Sequence, residues 1–401
     1  MELDRWEQAV LDGERGEVLQ KAMEILVALG TIYGADRLVP VTSVQVAGVS
    51  YKNLGDAGRD FVAWWSERGA TVRSPSMLNP AGIDLERWEE LGFPADFSRR
   101  QAEIVSLYAA MGIMPTCTCT PYESGNLPKM GDHLAWSESS AVSFANSYIG
   151  ARTNREGGPS ALAAALLGRT PRYGYHTDGA RLATVRFDVR AAVTSEADCG
   201  ALGVQVGRTV CQGVPLFSGL PTLATPQYKQ LGAAMAAAGS VALYHVDGQT
   251  PESRCRPVAP EGLECIAVES LEEGYATLNT GGEAVDFVSL GCPHASIGEI
   301  RDIAAHLRGA TCAIPCWITT SASALGQARR YGYYDAIEAS GARVVADTCM
   351  VVSPIEEFGY ETVASNSAKG CLYLQSWCKA ETRFGPVADC VKAALTGRWP
   401  S

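Results

Sequence analysis

The sequence has no surplus of basic residues, since 33 Lys and Arg stand against 44 Asp and Glu and give a formal net charge of -11. Proteins that bind the phosphate backbone of nucleic acids present a basic surface. Nucleic acid is therefore not an expected partner. Charged residues are also scarce, at 19% against 47% hydrophobic residues, and this balance predicts a globular chain of two or three lobes rather than a disordered one.

Long apolar segments are missing as well. The longest run, residues 231–246, is interrupted by Gly232, Gly239 and Ser240, and it is shorter than the about 18 residues that cross a membrane. The first residues are acidic and lead into a charged stretch, so they lack the basic start and apolar core of a signal peptide. We expect no membrane helix and a cytoplasmic location.

Cysteine, by contrast, is plentiful, with 13 among 401 residues. Disulfides rarely persist in the cytoplasm, so most of these residues are expected to be buried thiols or metal ligands. Only one residue separates Cys117 from Cys119, whereas the cysteine pairs of zinc ribbons are separated by two. The position of each cysteine in the fold must therefore identify any ligands.

The hydrophobic pattern predicts alternating helices and strands. Among the predicted helices are residues 16–29, 56–68, 98–111, 137–148, 297–307 and 322–331, of which the third has Ser98 and Gln101 in a capping-box pattern. The clearest predicted strands are residues 185–189, 241–246, 285–290, 310–314 and 342–346. We expect an α/β fold of several lobes, with parallel or mixed sheets flanked by helices. An N-terminal lobe (1–190) would precede one or more C-terminal α/β lobes (191–401).

Two cysteines follow predicted strands. Cys292 and Cys349 each stand just beyond a strand end, where open parallel sheets bind their ligands. Both thiolates can therefore reach one point between the lobes, with a third from one of the cysteines in residues 117–119 and with Cys316 in reserve. Three thiolates suit an iron-sulfur cluster with one open iron, because a structural zinc site takes four ligands. His294 is equally a hydrogen-bonded scaffold residue or a ligand.

A polar loop near residue 150 carries two further candidates. Arg152 and Arg155 stand among glycines, and paired guanidiniums there suit bidentate binding of a carboxylate. The alternative is a pair of solvated surface arginines. Glu138 lies in a stretch of small residues where an acid is usually buried against a partner, and we expect that partner to be Arg152 or Arg155.

Several longer motifs complete the pattern. They are Thr118-Cys-Thr-Pro-Tyr122, Ala135-Trp-Ser-Glu-Ser-Ser-Ala-Val142, Ala145-Asn-Ser147, Gly150-Ala-Arg-Thr-Asn-Arg-Glu-Gly-Gly158, Gly291-Cys-Pro-His294, Asp347-Thr-Cys-Met350 and Asn366-Ser-Ala-Lys369. With these motifs the chain resembles the large, catalytic subunit of aconitase X over residues 13–397. The resemblance implies an aconitase-like fold, with the active site in a cleft between lobes, and a hydro-lyase that removes water from a small hydroxy acid.

The resemblance also implies roles for individual residues. The iron centre, a 2Fe-2S cluster or alternatively a single iron, would be held by Cys119, Cys292 and Cys349. The implied catalytic residues are Arg152, Arg155, Lys369, His294 and Ser50. The implied substrate-binding residues are Gln45, Ser50, Tyr51, Asn146, Arg152, Asn154 and Arg155.

Two branches of the family offer a substrate. One converts cis-3-hydroxy-L-proline to pyrroline-2-carboxylate, and the other dehydrates mevalonate 5-phosphate. The acidity of the chain favours the hydroxyproline branch, as does Gln45, which stands where many relatives have a histidine. A noncatalytic iron- or zinc-binding protein is the alternative from another class.

A protein partner is the last implication of the resemblance. In this superfamily a small swivelling domain carries the serine that acts as base. The predicted elements already occupy the chain through residue 395. We therefore expect a separate small subunit to supply this serine.

Overall fold

The computed structural model describes residues 1–400 of the chain. The elements follow one another in three units, each built around its own parallel sheet. The expected α/β class, with sheets flanked by helices, is confirmed. Within residues 1–400 no helix is long and apolar enough to cross a membrane.

The first unit precedes residue 182. Its strands are β1 (Leu38–Pro40), β2 (Ser43–Val46), β3 (Ser76–Leu78), β4 (Leu134–Trp136) and β5 (Arg169–Pro171). Its α-helices are α1 (Arg5–Leu11), α2 (Glu17–Ile32), α3 (Tyr51–Glu67), α4 (Ala95–Ala110), α5 (Ser139–Phe144) and α6 (Gly158–Leu167). Strands β3, β2 and β4 form the parallel sheet in that order, and β1 pairs antiparallel with β5.

The second unit alternates strands and helices. Its elements are β6 (Val185–Val189), α7 (Glu196–Val210), β7 (Pro215–Ser218), α8 (Thr225–Gly239), β8 (His245–Val246), α9 (Pro251–Cys255), β9 (Cys265–Val268) and α10 (Glu272–Leu278). The strands form a parallel sheet in the order β8-β7-β6-β9. The expected boundary at residue 190 falls directly after its first strand.

The third unit completes the described chain. Its elements are β10 (Phe287–Ala295), α11 (Ile297–Leu307), β11 (Cys316–Thr320), α12 (Ala322–Arg330), α13 (Tyr333–Glu338), β12 (Arg343–Ala346), β13 (Thr362–Ser365), α14 (Ala368–Trp377), β14 (Glu381–Phe384) and α15 (Val387–Thr396). The strands form a parallel sheet in the order β12-β11-β10-β13-β14. Every residue of the central strand β10 is buried, as expected for a strand covered by helices on both faces.

Short helices complete the secondary structure. A π-helix (Ala145–Ile149) continues directly from α5, and the 3-10 helices are Pro121–Glu123, Gly174–His176, Gly179–Arg181 and Ile355–Phe358. Several α-helices begin where a side chain caps the backbone. Ser195 with Asp198 opens α7, and Ser296 with Glu299 opens α11, both as capping boxes. The predicted start of α11 at residue 297 is therefore confirmed.

Three local predictions were wrong. The helix expected from residue 98 begins at Ala95, so Ser98 lies inside it and does not cap it. The strand expected at 310–314 begins instead after Pro315, whose missing N–H suits a strand boundary. Only His245–Val246 pairs within the strand expected at 241–246, because the N–H of Tyr244 donates to Ser147 instead.

Helices α7 and α8 pack closely through glycines. A Cβ atom on Gly239 would lie 1.8 Å from the carbonyl oxygen of Gly207, and one on Gly203 would lie 2.8 Å from that of Leu231. Side chains at these positions would push the helices apart. The small-residue stretch that interrupts the longest apolar run therefore allows the two helices of the second unit to approach each other.

We expect the substitution Gly239→Ala to destabilise the protein by about 1 to 3 kcal/mol, because its methyl group meets backbone atoms that cannot move aside. Gly326→Ala is the matched control: Gly326 lies within α12, where a Cβ atom meets nothing within 4 Å. This change should be neutral or stabilising by up to about 1 kcal/mol. Chemical denaturation of both variants measures the difference, and equal stability would contradict the close contact.

Candidate active site

A cavity of about 160 Å³ lies between the first and third units. The first unit lines it with residues 47–48, 79–80 and 137–139, which follow β2, β3 and β4 directly. The third unit lines it with Cys292 of β10, with residues after β12 and with Lys369, which follows β13. The carboxyl ends of two parallel sheets thus meet at one cleft, where such sheets bind ligands.

Cys119, Cys292 and Cys349 all line this cavity. Regular pairing of β10 with β11 stops at Leu290 and resumes at Ala295, so Cys292 lies in the irregular stretch between them. The proximity of the Cys292 and Cys349 thiols lowers the pKa of Cys292 and raises the pKa of Cys349. Burial raises the pKa of Cys119 to about 12.

The alternative cysteines lie elsewhere. Cys117 is fully buried within the hydrophobic core of the first unit. Cys316 is the first residue of β11, so it lies at the amino end of the sheet, opposite the cleft. Cys316 was expected near the end of a strand, and this was wrong, because β11 begins at Cys316 and ends at Thr320.

His294 connects the three segments that carry these cysteines. Its ring Nδ1 lies 3.0 Å from the hydroxyl of Thr118, next to Cys119. Its Nε2 lies 2.8 Å from the carbonyl oxygen of Thr348, next to Cys349. The backbone N–H of His294 donates to the sulfur of Cys119 at 3.1 Å, and Cys292 stands two positions earlier in the chain.

These contacts fix the chemical state of the His294 ring. A carbonyl oxygen only accepts, so Nε2 carries the proton and Nδ1 accepts from the Thr118 hydroxyl. Burial lowers the pKa of the ring to about 4, so it is neutral near pH 7. Both ring nitrogens are engaged by protein partners, as in a residue that holds neighbouring segments together.

The expected partner of Glu138 was wrong. Glu138 caps α5 and forms an ion pair with Lys369 rather than with an arginine. Its other carboxylate oxygen accepts from the amide of Asn79 at 2.9 Å. Burial would raise the pKa of Glu138, but Lys369 and Asn79 outweigh it and hold this pKa at about 2. A buried charge pair therefore joins the first unit to the third at the cavity wall.

Two residues that line the cavity, Ser137 and Asn79, were not identified from the sequence. Within residues 1–400 the hydroxyl of Ser137 and the Oδ1 atom of Asn79 are buried and have no hydrogen-bond partner. Unpartnered buried polar atoms of this kind mark a place for a polar ligand. Each residue directly follows a parallel strand. Both could therefore have been found by the rule that parallel sheets bind ligands at the carboxyl ends of their strands.

The two arginines of the polar loop point to different surroundings. Arg155 is exposed and lines the cavity. The guanidinium of Arg152 donates to the carbonyl oxygen of His176 at 3.1 Å and pairs with Asp178. Only Arg155 is therefore placed to meet a ligand in the cleft.

The amides of Asn146 and Asn154 hold the backbone around this loop. Asn146 donates to the carbonyl oxygens of Thr153 and Ala242 and accepts from the N–H of Thr153. Asn154 accepts from the N–H of Tyr175 and donates to the carbonyl of Tyr173. Their polar groups are engaged by protein partners, and these contacts hold the backbone just before Arg155.

Ser50, Tyr51 and Gln45 also support the cavity from outside it. Ser50 caps α3 and donates to the carbonyl of Val352 at 2.6 Å. The N–H of Tyr51 donates to Gln101, and its hydroxyl donates to Asp56. Gln45 is fully buried and donates to the carbonyl oxygen of Thr118 at 2.9 Å. Ser50 and Gln45 therefore hold loops of the cleft, whereas the side chain of Tyr51 contacts α3 and α4.

Three family models match the chain: the first domain of aconitase X over residues 1–179, the second over 183–273 and the third over 285–396. The large subunit of phosphomevalonate dehydratase from Methanothermobacter thermautotrophicus is 52% identical over 94% of this chain and 94% of its own length. The chain belongs to the aconitase X family. The matched domains coincide with the three structural units.

Other members of the aconitase X family give the same assignment. The crystal structure of Thermococcus kodakaraensis aconitase X in its holo-form aligns with a TM-score of 0.92 and 48% identity, over 98% of this chain and 100% of that one. Cis-3-hydroxy-L-proline dehydratase from Pseudomonas aeruginosa is 35% identical over 100% of this chain and 71% of its own length. Dehydratases are hydro-lyases, and this chain is a hydro-lyase of the aconitase X type.

Aconitase-superfamily dehydratases generally depend on iron-sulfur centres. As the side chains stand within residues 1–400, no group of three or more His, Cys, Asp or Glu residues is arranged to hold a metal ion. The donor set nonetheless fits such a centre, because Cys119 and Cys292 bring two buried thiols and Cys349 a half-buried thiol to one cavity, and thiolates are the ligands of iron-sulfur clusters. The N–H of His294 already donates to one of these sulfurs.

We expect the substitution Lys369→Met to destabilise the protein by about 3 to 5 kcal/mol, since it leaves Glu138 buried without a counter-charge. The double variant Glu138→Gln with Lys369→Met should recover most of this loss, because it buries no charge. Chemical denaturation of the two single variants and the double variant measures the coupling. A double variant no more stable than Lys369→Met alone would show that the ion pair is not the cause.

Proposed function

We propose that this chain is the large subunit of a phosphomevalonate dehydratase. The observation that carries the proposal is identity along the whole chain: of five relatives of that name, four are 46–52% identical to it and one is 36% identical. The relatives named cis-3-hydroxy-L-proline dehydratase are 32–35% identical, and this chain spans only 69–71% of their length. The alternative substrate from the sequence therefore has better support than the first choice.

Gln45 and the acidity of the chain were the two sequence arguments for hydroxyproline as the substrate. Neither concerns a residue that lines the cleft. Gln45 is fully buried and supports Thr118, so its difference from a histidine does not reach the substrate directly. The net charge of -11 describes the whole chain and says nothing about the cleft. Arg155, Asn79 and Ser137 provide cationic and polar groups there, and these suit an anionic hydroxy acid.

Arg155 is the group that we assign to an anionic end of the substrate. Mevalonate 5-phosphate carries a carboxylate at one end and a phosphate at the other, and a guanidinium binds either in bidentate fashion. Lys369 is held by Glu138, so it contributes positive charge to the cavity wall and does not contact the substrate as a free cation. The unpartnered atoms of Asn79 and Ser137 would orient the hydroxyl group that leaves.

Dehydration breaks the C–O bond of the substrate hydroxyl and a C–H bond on the neighbouring carbon, and the electron pair of the C–H bond becomes the new double bond. An iron centre held by Cys119, Cys292 and Cys349 would supply a Lewis acid for the departing hydroxyl. Arg155 would stabilise negative charge that grows on a carboxylate as the proton leaves. The fixed cleft walls orient the reacting carbons.

The base that removes the proton is the component we assign to a small subunit. The relatives are named as large subunits, which implies such a partner. Within this chain Glu138 is committed to Lys369, His294 to two threonines and Ser50 to a helix cap. A serine of the small subunit would therefore complete the site when the partner covers the cleft and excludes water.

We expect Arg155→Ala to lower kcat/KM for mevalonate 5-phosphate by about tenfold to a hundredfold, since a charge-assisted hydrogen bond contributes about 1.5 to 3 kcal/mol. Its melting temperature should stay near that of the wild type, because Arg155 is exposed. Arg152→Ala is the matched control from the same loop and should lower stability with little change in turnover. A reversed pattern would exchange the roles of the two arginines.

We expect the iron-loaded chain alone to be nearly inactive and to dehydrate mevalonate 5-phosphate once its small subunit is added. Assays with and without the partner, on mevalonate 5-phosphate and on cis-3-hydroxy-L-proline, measure this. Higher kcat/KM on hydroxyproline would assign the chain to the other branch. Full activity without the partner would place the base in this chain, with Ser137 as the first residue to test.

A further inference from the structure

Lys229 is a buried cation for which the reaction described above has no use. It lies in α8 of the second unit and is 3% exposed. Its Nζ donates to the carbonyl oxygen of His294 at 2.6 Å and to Glu299 at 2.7 Å, with Glu123 at 3.9 Å. No residue of the second unit is among those lining the cleft. Lys229 contacts the carbonyl of His294, whose N–H donates to the sulfur of Cys119.

The amine of Lys229 is charged. Burial alone would lower its pKa, but the carboxylates of Glu299 and Glu123 outweigh burial and raise the pKa. Its hydrogen bond to the His294 carbonyl is therefore charge-assisted, which makes it stronger than a bond between neutral groups. Removing the lysine would leave Glu299 without its cationic partner and that carbonyl without its side-chain donor.

The hydrogen bond from Lys229 means that both backbone polar groups of His294 have a partner. Its carbonyl accepts from Lys229, and its N–H donates to the sulfur of Cys119. The ring is held by Thr118 and Thr348. A shift of the carbonyl would turn the backbone of His294 and with it the N–H group that meets the sulfur.

We propose that Lys229 is a positioning residue of the cysteine site, which it holds from the second unit through the backbone of His294. The proposal rests on the proposed function, in which the three cysteines hold an iron centre. Groups behind the direct ligands fix ligand orientation, and hydrogen bonds to sulfur and nearby charge tune the centre. Lys229 supplies the charge and anchors the residue that supplies the hydrogen bond.

The test compares three variants. Lys229→Met removes the donor and the charge, and Lys229→Arg keeps both. Gln230→Met is the matched control, because Gln230 is the next residue on α8 and is also buried, at 2% exposure. Two quantities are measured: iron retained against a chelator after anaerobic loading with iron and sulfide, and hydrogen exchange of the amides of residues 287–300 in the metal-free protein.

For Lys229→Met we expect iron binding about 10- to 100-fold weaker than in the wild type, the usual effect of losing a group behind the ligands, and exchange in residues 287–300 at least about tenfold faster. Lys229→Arg should restore much of both, and Gln230→Met should match the wild type. Wild-type iron retention and exchange in Lys229→Met would overturn the proposal, as would equal losses in Gln230→Met.

The role of Lys229 can still be tested if Lys229→Met does not fold or if the wild-type chain retains no iron. If Lys229→Met does not fold, Glu299→Gln replaces it, since glutamine keeps the cap of α11 but removes the carboxylate that holds Lys229; unchanged exchange in residues 287–300 would then overturn the proposal. If the wild-type chain retains no iron, the iron centre of the proposed function fails. The exchange measurement in metal-free protein then decides the role of Lys229 by itself.

Discussion

The cleft depends above all on the hydrogen bonds of His294. The three cysteines reach it from segments far apart in sequence, and sheet packing alone does not fix three loops to each other. His294 contacts the neighbour of Cys119, the neighbour of Cys349 and the Cys119 sulfur itself. Each buried partner left unsatisfied would cost about 1 to 3 kcal/mol. The neutral ring therefore favours one arrangement of the cysteines over looser ones.

The three units contribute to this arrangement in different ways. The first and third bring the carboxyl ends of their parallel sheets together and so supply every residue that lines the cleft. The second packs α7 on α8 through glycines and presents Lys229 to the back of the site. The first and third units therefore form the two sides of the binding site, and the second unit stabilises the third from behind.

Sequence reasoning predicted the parts of the site that follow from strand topology. Cys349 could be found because it follows the parallel strand β12, and Asn79 and Ser137 obey the same rule. Cys292 was found although its strand was predicted to end at residue 290: it lies within β10, which continues to Ala295, in the irregular stretch near the carboxyl end of that strand. The partners of individual side chains could not be found in this way. The sequence does not say that Arg152 turns to Asp178 while Arg155, three residues later, reaches the cleft.

The same limit applies to polar residues that serve the fold. Ser50 and Gln45 have the residue types of catalytic and binding groups, but one caps a helix and the other supports a loop. Glu138 was expected beside an arginine close in sequence, whereas its partner is Lys369, which belongs to another unit. Long-range partners of this kind depend on how units pack, which local patterns do not encode. Fold class and α11 depend on local patterns, and these were predicted correctly.

The Glu138 and Lys369 pair also has a consequence for how molecules reach the three cysteines. Because it joins the first unit to the third inside the cleft, moving these two walls apart would separate opposite charges in a medium of low polarity. Ser50 and Lys52 bind the first unit to the third at further points. The exposed lining residues, Arg155 and Trp377, mark the side of the cavity that faces solvent. A protein that covered this side would limit the diffusion of small molecules both into and out of the cavity.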